Sequence, residues 1–251
     1  MMKTAVIIPA LNEAGNIGRL VAAVLATPQG ERPPRRRVRQ AGPSGATAAV
    51  DVIVADNGST DATADEARAA GALVVREPRR GYGYACAAGA SAASDADVLV
   101  FLDGDYSFLP SELPLLLAPI QDGRADLVLG SRPLGHVAPG AMPPHQRFGN
   151  WLAARLMNLL YGLTLTDLGP YRAIRQTLLA RLDMREMTFG WPTEMIVKAA
   201  REQGRIVEVP VSYLNRQAGR SKVSGTVRGT VLAAWYILGV TFRYAWHRRR
   251  T

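Results

Sequence analysis

Val98-Leu99-Val100-Phe101-Leu102-Asp103-Gly104-Asp105 is the stretch from which the fold can be read. Apolar residues run without interruption into two carboxylates separated by one glycine. The run is short, β-prone and apolar at successive positions, so neither of its faces is built to meet water. That is the pattern of a buried central strand. In open α/β sheets, ligands bind just beyond the carboxyl ends of the strands. Two carboxylates this close repel each other unless a cation lies between or beside them. Hard oxygen donors favour Mg²⁺ or Mn²⁺, and Mg²⁺ typically takes one or two carboxylates and fills its shell with substrate phosphates. Asp103 and Asp105 therefore read as metal ligands of a metal–diphosphate site, beside the plainer reading of an Asp-Gly turn.

Outward from this stretch, strands and helices alternate. Thr4–Ile8 reads as a strand, followed by the loop Pro9-Ala10-Leu11-Asn12-Glu13. Asn12 suits a helix N-cap, and Ile17, Leu20, Val21, Val24 and Leu25 supply an apolar stripe at helical spacing. Glu13 suits either a helix-dipole partner or a nucleotide pocket. Val50–Ala55 reads as the second strand. It ends in Asp56-Asn57-Gly58-Ser59-Thr60-Asp61, a turn with Ser59 or Thr60 placed to cap the next helix. Ala72–Val75 is a short third strand and Gly81–Ala93 a helix of small residues. Helix signals return at Pro110-Ser111-Glu112, and Asp126–Leu129 is a fifth strand. This alternation predicts an α/β fold with a mostly parallel sheet. Acidic residues recur at strand ends, as Glu13, Asp56 and the Asp103/Asp105 pair, which favours a nucleotide–metal site over a single chance turn.

The chain has 251 residues, enough for one large domain with a substantial core. It carries 30 Lys and Arg against 21 Asp and Glu, a net charge of +9. That balance suits an anionic partner: phosphate, nucleic acid or an acidic membrane surface. Residues 28–49 are rich in Pro, Gly and Arg and lack apolar periodicity, so they read as a surface insertion, either a solvated loop or an Arg patch for lipid headgroups. Cys86 is the single cysteine, which rules out an intramolecular disulfide and a cysteine-based zinc site. A reducing, cytoplasmic setting fits, and the N-terminus shows no signal-peptide pattern. Val223–Trp246 reads as one helix. Its uncharged part, Gly229 to Phe242, falls short of the ~20 residues that span a bilayer. Trp235, Tyr236, Tyr244 and Trp246 with Arg248–Arg250 predict a helix lying in the membrane interface, with core packing as the alternative. The expected division is thus residues 1–222 and an interfacial segment at 223–251.

The motifs together resemble family 2 glycosyltransferases of the GT-A fold: Val6-Ile7-Ile8-Pro9-Ala10-Leu11-Asn12-Glu13, then Asp56-Asn57-Gly58-Ser59-Thr60-Asp61, then Asp103-Gly104-Asp105. Further on, Gly130-Ser131-Arg132, Arg147-Phe148-Gly149-Asn150, Asp167-Leu168-Gly169-Pro170-Tyr171-Arg172 and Glu208-Val209-Pro210-Val211 look like the dolichyl/polyprenyl-phosphate sugar transferase branch. So does Arg216 followed by Gly219-Arg220-Ser221-Lys222. The resemblance implies a nucleotide-sugar donor, UDP- or GDP-linked, held by Pro9, Leu11, Glu13, Asp56, Gly58, Asp103, Gly104, Arg216 and Lys222. It implies an acceptor phosphate met by Arg132, Arg147 and Ser221, a metal at Asp103 and Asp105, and inversion at the anomeric carbon. The branch often carries Asp-Ala-Asp-Leu-Gln at the metal motif; here Tyr106 and Ser107 follow Asp105. The implied setting is the cytoplasmic face of a membrane with an anionic surface.

Breaking an anomeric C–O bond to diphosphate builds negative charge on the leaving oxygen. A divalent cation stabilises that charge, and Arg216 and Lys222 would add to it. The Pro/Gly-rich stretch His136–His145 is the candidate lid. The acceptor decides whether a base is needed. A hydroxyl must lose its proton, and Glu194, with Asp167 as a second choice, is the candidate base. A polyprenyl phosphate is already an anion and needs none. The catalytic set is accordingly Asp105, Arg216 and Glu194. The favoured expectation is transfer to polyprenyl phosphate; the alternative is a soluble family 2 enzyme with a hydroxyl acceptor. A third reading, nucleic-acid binding through the basic segments, is opposed by carboxylates at the strand ends, so no nucleic-acid partner is expected.

Overall fold

The computed structural model describes residues 2–28, 50–216 and 236–245. The insertion beyond Pro28, and residues 217–235 and 246–251 with Ser221, Lys222, Trp235, Trp246 and the terminal arginines, lie outside the described residues. So does the expected boundary at 222/223.

The core is one seven-stranded sheet in the order β3-β2-β1-β4-β6-β5-β7. Its strands are β1 (Thr4–Ala10), β2 (Val50–Asp56), β3 (Leu73–Arg76), β4 (Val98–Phe101), β5 (Leu127–Ser131), β6 (Arg172–Arg175) and β7 (Ile206–Pro210). The helices are α1 (Ile17–Leu25), α2 (Thr63–Ala69), α3 (Tyr82–Ala92), α4 (Leu113–Gln121), α5 (Pro144–Tyr161), α6 (Gln176–Arg181) and α7 (Trp191–Arg201). Residues alternate across the sheet as the pleat requires. Ala5 and Ile7 of β1 join one core with residues of α3, α5, α6 and α7; Val6 and Ile8 join the other with α1, α2 and α4. β4 is buried along its whole length, as its continuous apolar pattern predicts.

Two strands were not legible as such. β6 is four residues bounded by arginines, and it runs antiparallel to both β4 and β5. β7 is an edge strand ending in Pro210, a residue tolerated where no neighbour needs its missing N–H. Local capping also departs from expectation. Asn12 is not the N-cap of α1, which falls at Asn16. Asn12 instead adopts a positive φ of 51° and accepts a hydrogen bond from Thr60 N at 2.8 Å. Ser59 and Thr60 do not cap α2. The N-cap is Ala62, without a side-chain cap; Asp61 Oδ1 accepts from Thr63 N at 3.0 Å just before it, while Ser59 Oγ accepts from Asn12 N. These exchanges staple the β1–α1 loop to the β2–α2 loop. Leu25, counted in the α1 stripe, is exposed.

The described part of the C-terminal segment is a helix over residues 236–245, and part of it packs on the core. Val240 and Thr241 are buried, and Tyr161 O–H donates to Thr241 O at 2.5 Å. Tyr244, expected to be an interfacial aromatic, donates to Glu194 Oε1 at 2.6 Å. Among the described residues, no helix is long and apolar enough to cross a membrane.

Asp126, just before β5, ties the right-hand strands together. It accepts from Arg205 N, Nε and Nη2 at 3.0, 2.9 and 2.9 Å and pairs with Arg175 at 3.4 Å. The Arg205 bonds, foremost, pull its carboxyl down to about 2. A folded pKa below the unfolded one gives stability that is present above about pH 4 and lost as pH falls toward 2. Asp126→Asn should therefore lower the urea midpoint at neutral pH, with the gap to wild type closing in acid. An equal gap at both pH values would contradict this.

Candidate functional site

The carboxyl ends of β1, β2 and β4 lie side by side, because Ala10 is in register with Asp56 and Ile7 with Phe101. Asn57, not singled out in the sequence, knits these ends together. Its N–H donates to Ala10 O, its side-chain amide donates to Glu77 O and Arg79 O, and its Oδ1 accepts from Gly81 N at the start of α3. The signal for it was the turn motif itself: an Asn side chain can bond several backbone groups where three chain segments converge. Asp56 is buried and accepts from Ser59 N at 2.9 Å. Gly58 takes a positive φ of 82°, and the Arg80 guanidinium lies beside it. Leu11, half-buried, follows directly on β1.

Gly104 packs close under the β1 loop. A Cβ there would stand 3.4 Å from Pro9 O and 3.5 Å from Glu13 Cγ. Four of the expected donor residues, Pro9, Glu13, Asp103 and Gly104, are thus brought to one place. Asp103 accepts from Tyr82 O–H at 3.2 Å. Burial, and then the charge of Asp105, push its carboxyl up to about 6, against the smaller pull of Tyr82 and Arg216. Asp105 is buried too. Its Oδ1 accepts from Ser107 N and Oγ at 2.9 and 2.5 Å, which gives a role to the serine that departs from the expected motif.

Arg216 reaches this pair from the far end of the chain. Its Nη2 lies 2.7 Å from Asp105 Oδ2, and its Nη1 stands 3.8 Å from Glu13 Oε1. Nη1 is buried and has no hydrogen-bond partner among the described residues. Two crowded carboxylates, one of them raised, beside a guanidinium nitrogen without an acceptor among the described residues are an arrangement that could take up a cation and an anion together. No group of three or more His, Cys, Asp or Glu side chains able to hold a metal occurs among the described residues. Among the described residues, Asp103 and Asp105 stand as a pair of carboxylates, a donor set that would suit an ion whose remaining ligands are phosphate and water.

On the other side, β5 leads directly into Arg132. Asp167 holds Arg132 by three bonds, from N and Nε to Oδ2 at 2.9 and 2.7 Å and from Nη2 to Oδ1 at 2.7 Å. Burial alone would depress the guanidinium, but Asp167 outweighs it and holds Arg132 above its ordinary value. Asp167, though buried, is held below the usual carboxylate range by Arg132. Glu208 of β7 anchors the partner's loop by accepting from Thr166 N and Asp167 N. The ring of Tyr213 lies 5.2 Å from the Arg132 guanidinium carbon, and Asn150 Oδ1 is 3.4 Å from Nη2. Arg147 is not joined to this cluster; it is exposed on α5, and the α5 residue that reaches Arg132 is Asn150.

Two expected elements of the site have partners of their own here. The proposed lid, His136–His145, is tied down over its first half: Tyr213 N donates to His136 O at 2.7 Å, Ala138 N to Tyr213 O at 2.9 Å, and Asn215 Nδ2 to Pro139 O at 3.0 Å. These bonds link it to the segment that ends in Arg216. Glu194 is fully engaged. Oε2 accepts from Arg185 N and Glu186 N at 2.9 and 2.7 Å, while Oε1 accepts from Tyr244 and pairs with Lys198 at 2.9 Å. Burial would raise its pKa, yet the Tyr244 bond and the others hold it below the usual range. Each lone-pair direction of Glu194 thus has a partner in this arrangement.

The model for Glycosyl transferase family 2 matches residues 5–183. An uncharacterised glycosyltransferase of Mycobacterium tuberculosis is 37% identical over 228 residues, 91% of this chain and 93% of its own. The undecaprenyl-phosphate mannosyltransferase of Micrococcus luteus is 34% identical over 80% of this chain and 86% of its own. Among solved structures, glucosyl-3-phosphoglycerate synthase of M. tuberculosis, in complex with Mn²⁺, UDP and phosphoglyceric acid, has a TM-score of 0.73 at 22% identity, covering 97% of this chain and 78% of that one. The strand-end carboxylates expected from the sequence thus sit in a fold shared with known glycosyltransferases, and the chain is a member of glycosyltransferase family 2, with the GT-A architecture.

Proposed function

We propose that the protein transfers a sugar from a nucleotide diphosphate donor, UDP- or GDP-linked, to a polyprenyl phosphate, with Mg²⁺ or Mn²⁺ held by Asp103 and Asp105. The observation that carries this reading is the state of the two candidate bases. Glu194 is saturated by four partners, and Asp167 is spent on Arg132. A hydroxyl acceptor would find no free carboxylate in either role. An acceptor that is already ionised needs a cation instead, and Arg132 supplies one. The relatives support the same acceptor: one is named an undecaprenyl-phosphate mannosyltransferase, another, in Mycolicibacterium smegmatis and 30% identical over 94% of this chain, a polyprenol monophosphomannose synthase.

In this reading Glu13 and Asp56 orient the nucleoside, and Arg216 swings between the carboxylates and the donor diphosphate. When bound, the divalent ion supplies Lewis-acid stabilisation of the leaving diphosphate. Arg132, fixed in direction by Asp167, holds the acceptor phosphate so that its oxygen attacks the anomeric carbon as the C–O bond to the donor diphosphate breaks. Arg147, Ser221 and Lys222 belong to this reading through the family resemblance. The place of action is the cytoplasmic face of a membrane.

The test is a transfer assay with labelled UDP- and GDP-sugars, polyprenyl phosphate as acceptor, and phosphoglycerate as a hydroxyl-bearing control. Transfer to the lipid phosphate is expected. Glu194→Gln should keep at least about half of that activity, because no proton has to be removed, while losing about 1–3 kcal/mol of stability through its mismatched donors. Transfer only to the control, or collapse of kcat in a folded Glu194→Gln protein, would overturn the reading in favour of a hydroxyl acceptor.

A further inference from the structure

Helix α5 is built inside out. Its inner face is lined by Ala153, Ala154, Met157 and Tyr161, which join the core. Its outer face carries the larger apolar groups: Phe148 is 61% exposed, Trp151 53% and Leu159 81%, with Leu152 between them. These positions follow the i, i+3, i+4 and i+11 spacing of one helical stripe. Such a stripe ordinarily faces a core. Here the core side is already filled by Ala153, Ala154, Met157 and Tyr161. The 18-residue helix contains no Asp or Glu, while Arg155 lies on the same stripe, 6.0 Å from the Trp151 ring, and Arg147 beside it. Aromatic rings, aliphatic side chains and arginines without a carboxylate match the interface of a bilayer with anionic headgroups in both polarity and sign of charge.

We infer that the outer face of α5 docks the protein on an anionic lipid bilayer. The helix also connects that surface to the site. Asn150, one residue before Trp151, turns inward to Arg132 at 3.4 Å and accepts from Leu168 N at 3.2 Å. A headgroup phosphate at Arg132 and a hydrocarbon tail along α5 would therefore be separated by about the width of one helix. This deepens the proposed function by placing a lipid-phosphate acceptor next to the docking face. It assigns to α5 a role that the sequence suggested for the C-terminal segment.

The experiment is co-sedimentation of the full chain with vesicles of phosphatidylcholine and phosphatidylglycerol, and of phosphatidylcholine alone, without donor or acceptor. Wild type should bind the anionic vesicles and bind the neutral ones at least about tenfold less. Trp151→Gln/Leu159→Gln should lose about tenfold or more of the anionic binding while melting at the wild-type temperature. Wild type that stays in solution, or a double variant that binds as well as wild type, overturns the proposal. So does a wild-type dimer that the same substitutions convert to monomer, since the stripe would then be covered by a second copy. Because the assay needs no transfer, vesicle binding and acceptor identity fail separately.

Discussion

Asp103→Asn should abolish most of the transfer activity while making the metal-free protein more stable. Activity is expected to fall by about 10³-fold, because one of two carboxylate ligands is gone and charge on the leaving diphosphate is no longer neutralised. The gain in stability comes from electrostatics. Burial and Asp105 push Asp103 up to about 6 in the folded chain from its ordinary 3.8, so its ionised form opposes folding. At pH 7.5 that opposition is on the order of 3 kcal/mol, and asparagine removes it while its carbonyl still accepts from Tyr82. The sign follows from linkage. A raised carboxyl costs nothing well below its unfolded value, costs progressively more between about 4 and 6, and reaches its full cost above 6. The advantage of Asp103→Asn in a thermal melt with chelator should therefore be full at pH 7.5 and vanish near pH 4. Adding Mn²⁺ with UDP or GDP should raise the wild-type midpoint and leave the variant unmoved. A variant that melts lower at every pH, or that transfers sugar normally, would contradict the assignment of this pair.

The second large effect is expected at the buried Arg132–Asp167 pair. Asp167→Asn leaves Arg132 as a poorly compensated cation with little access to water, which costs about 3–5 kcal/mol. The acceptor KM should rise as well, because the guanidinium loses its fixed direction. Arg132→Lys should not rescue transfer, since an ammonium cannot reproduce the two-pronged contact with Asp167. The paired replacement Arg132→Met/Asp167→Leu separates structure from chemistry. Removing both charges together should restore much of the stability in urea denaturation. Transfer to polyprenyl phosphate should stay below about one hundredth of wild type, because no cation meets the acceptor. Restored activity in the paired variant would show that Arg132 serves only the fold.

The strand-end carboxylates of the proposed donor half could be placed from the sequence because their logic is local. Each of Glu13, Asp56 and the Asp103/Asp105 pair closes or follows a strand whose apolar pattern announces it, and parallel strands deliver their carboxyl ends to one edge. The acceptor half was named by resemblance, and its arrangement came from long-range pairing. Arg132 meets Asp167 across 35 residues, and Glu208 braces that loop from 41 residues further on. No periodicity within either segment encodes those meetings. β6 is too short and too charged at its ends to read as a strand, yet its antiparallel insertion sets the spacing between β4 and β5, and so between the Asp103/Asp105 pair and Arg132.

Glu194 and α5 mark the limit most clearly. In sequence, a glutamate at a helix start and a candidate base are indistinguishable; the four donors converging on it from the 185–186 loop, Lys198 and Tyr244 are brought together only by the tertiary structure. Helical spacing likewise reports that α5 has an apolar stripe, but not which way the stripe faces. Sequence by itself determined the α/β sheet, the buried central strand and the row of strand-end carboxylates, because burial and local repulsion act on neighbouring residues. Tertiary structure alone decided which charges are neutralised by distant partners and which apolar face is left to solvent, because both depend on what packs against them.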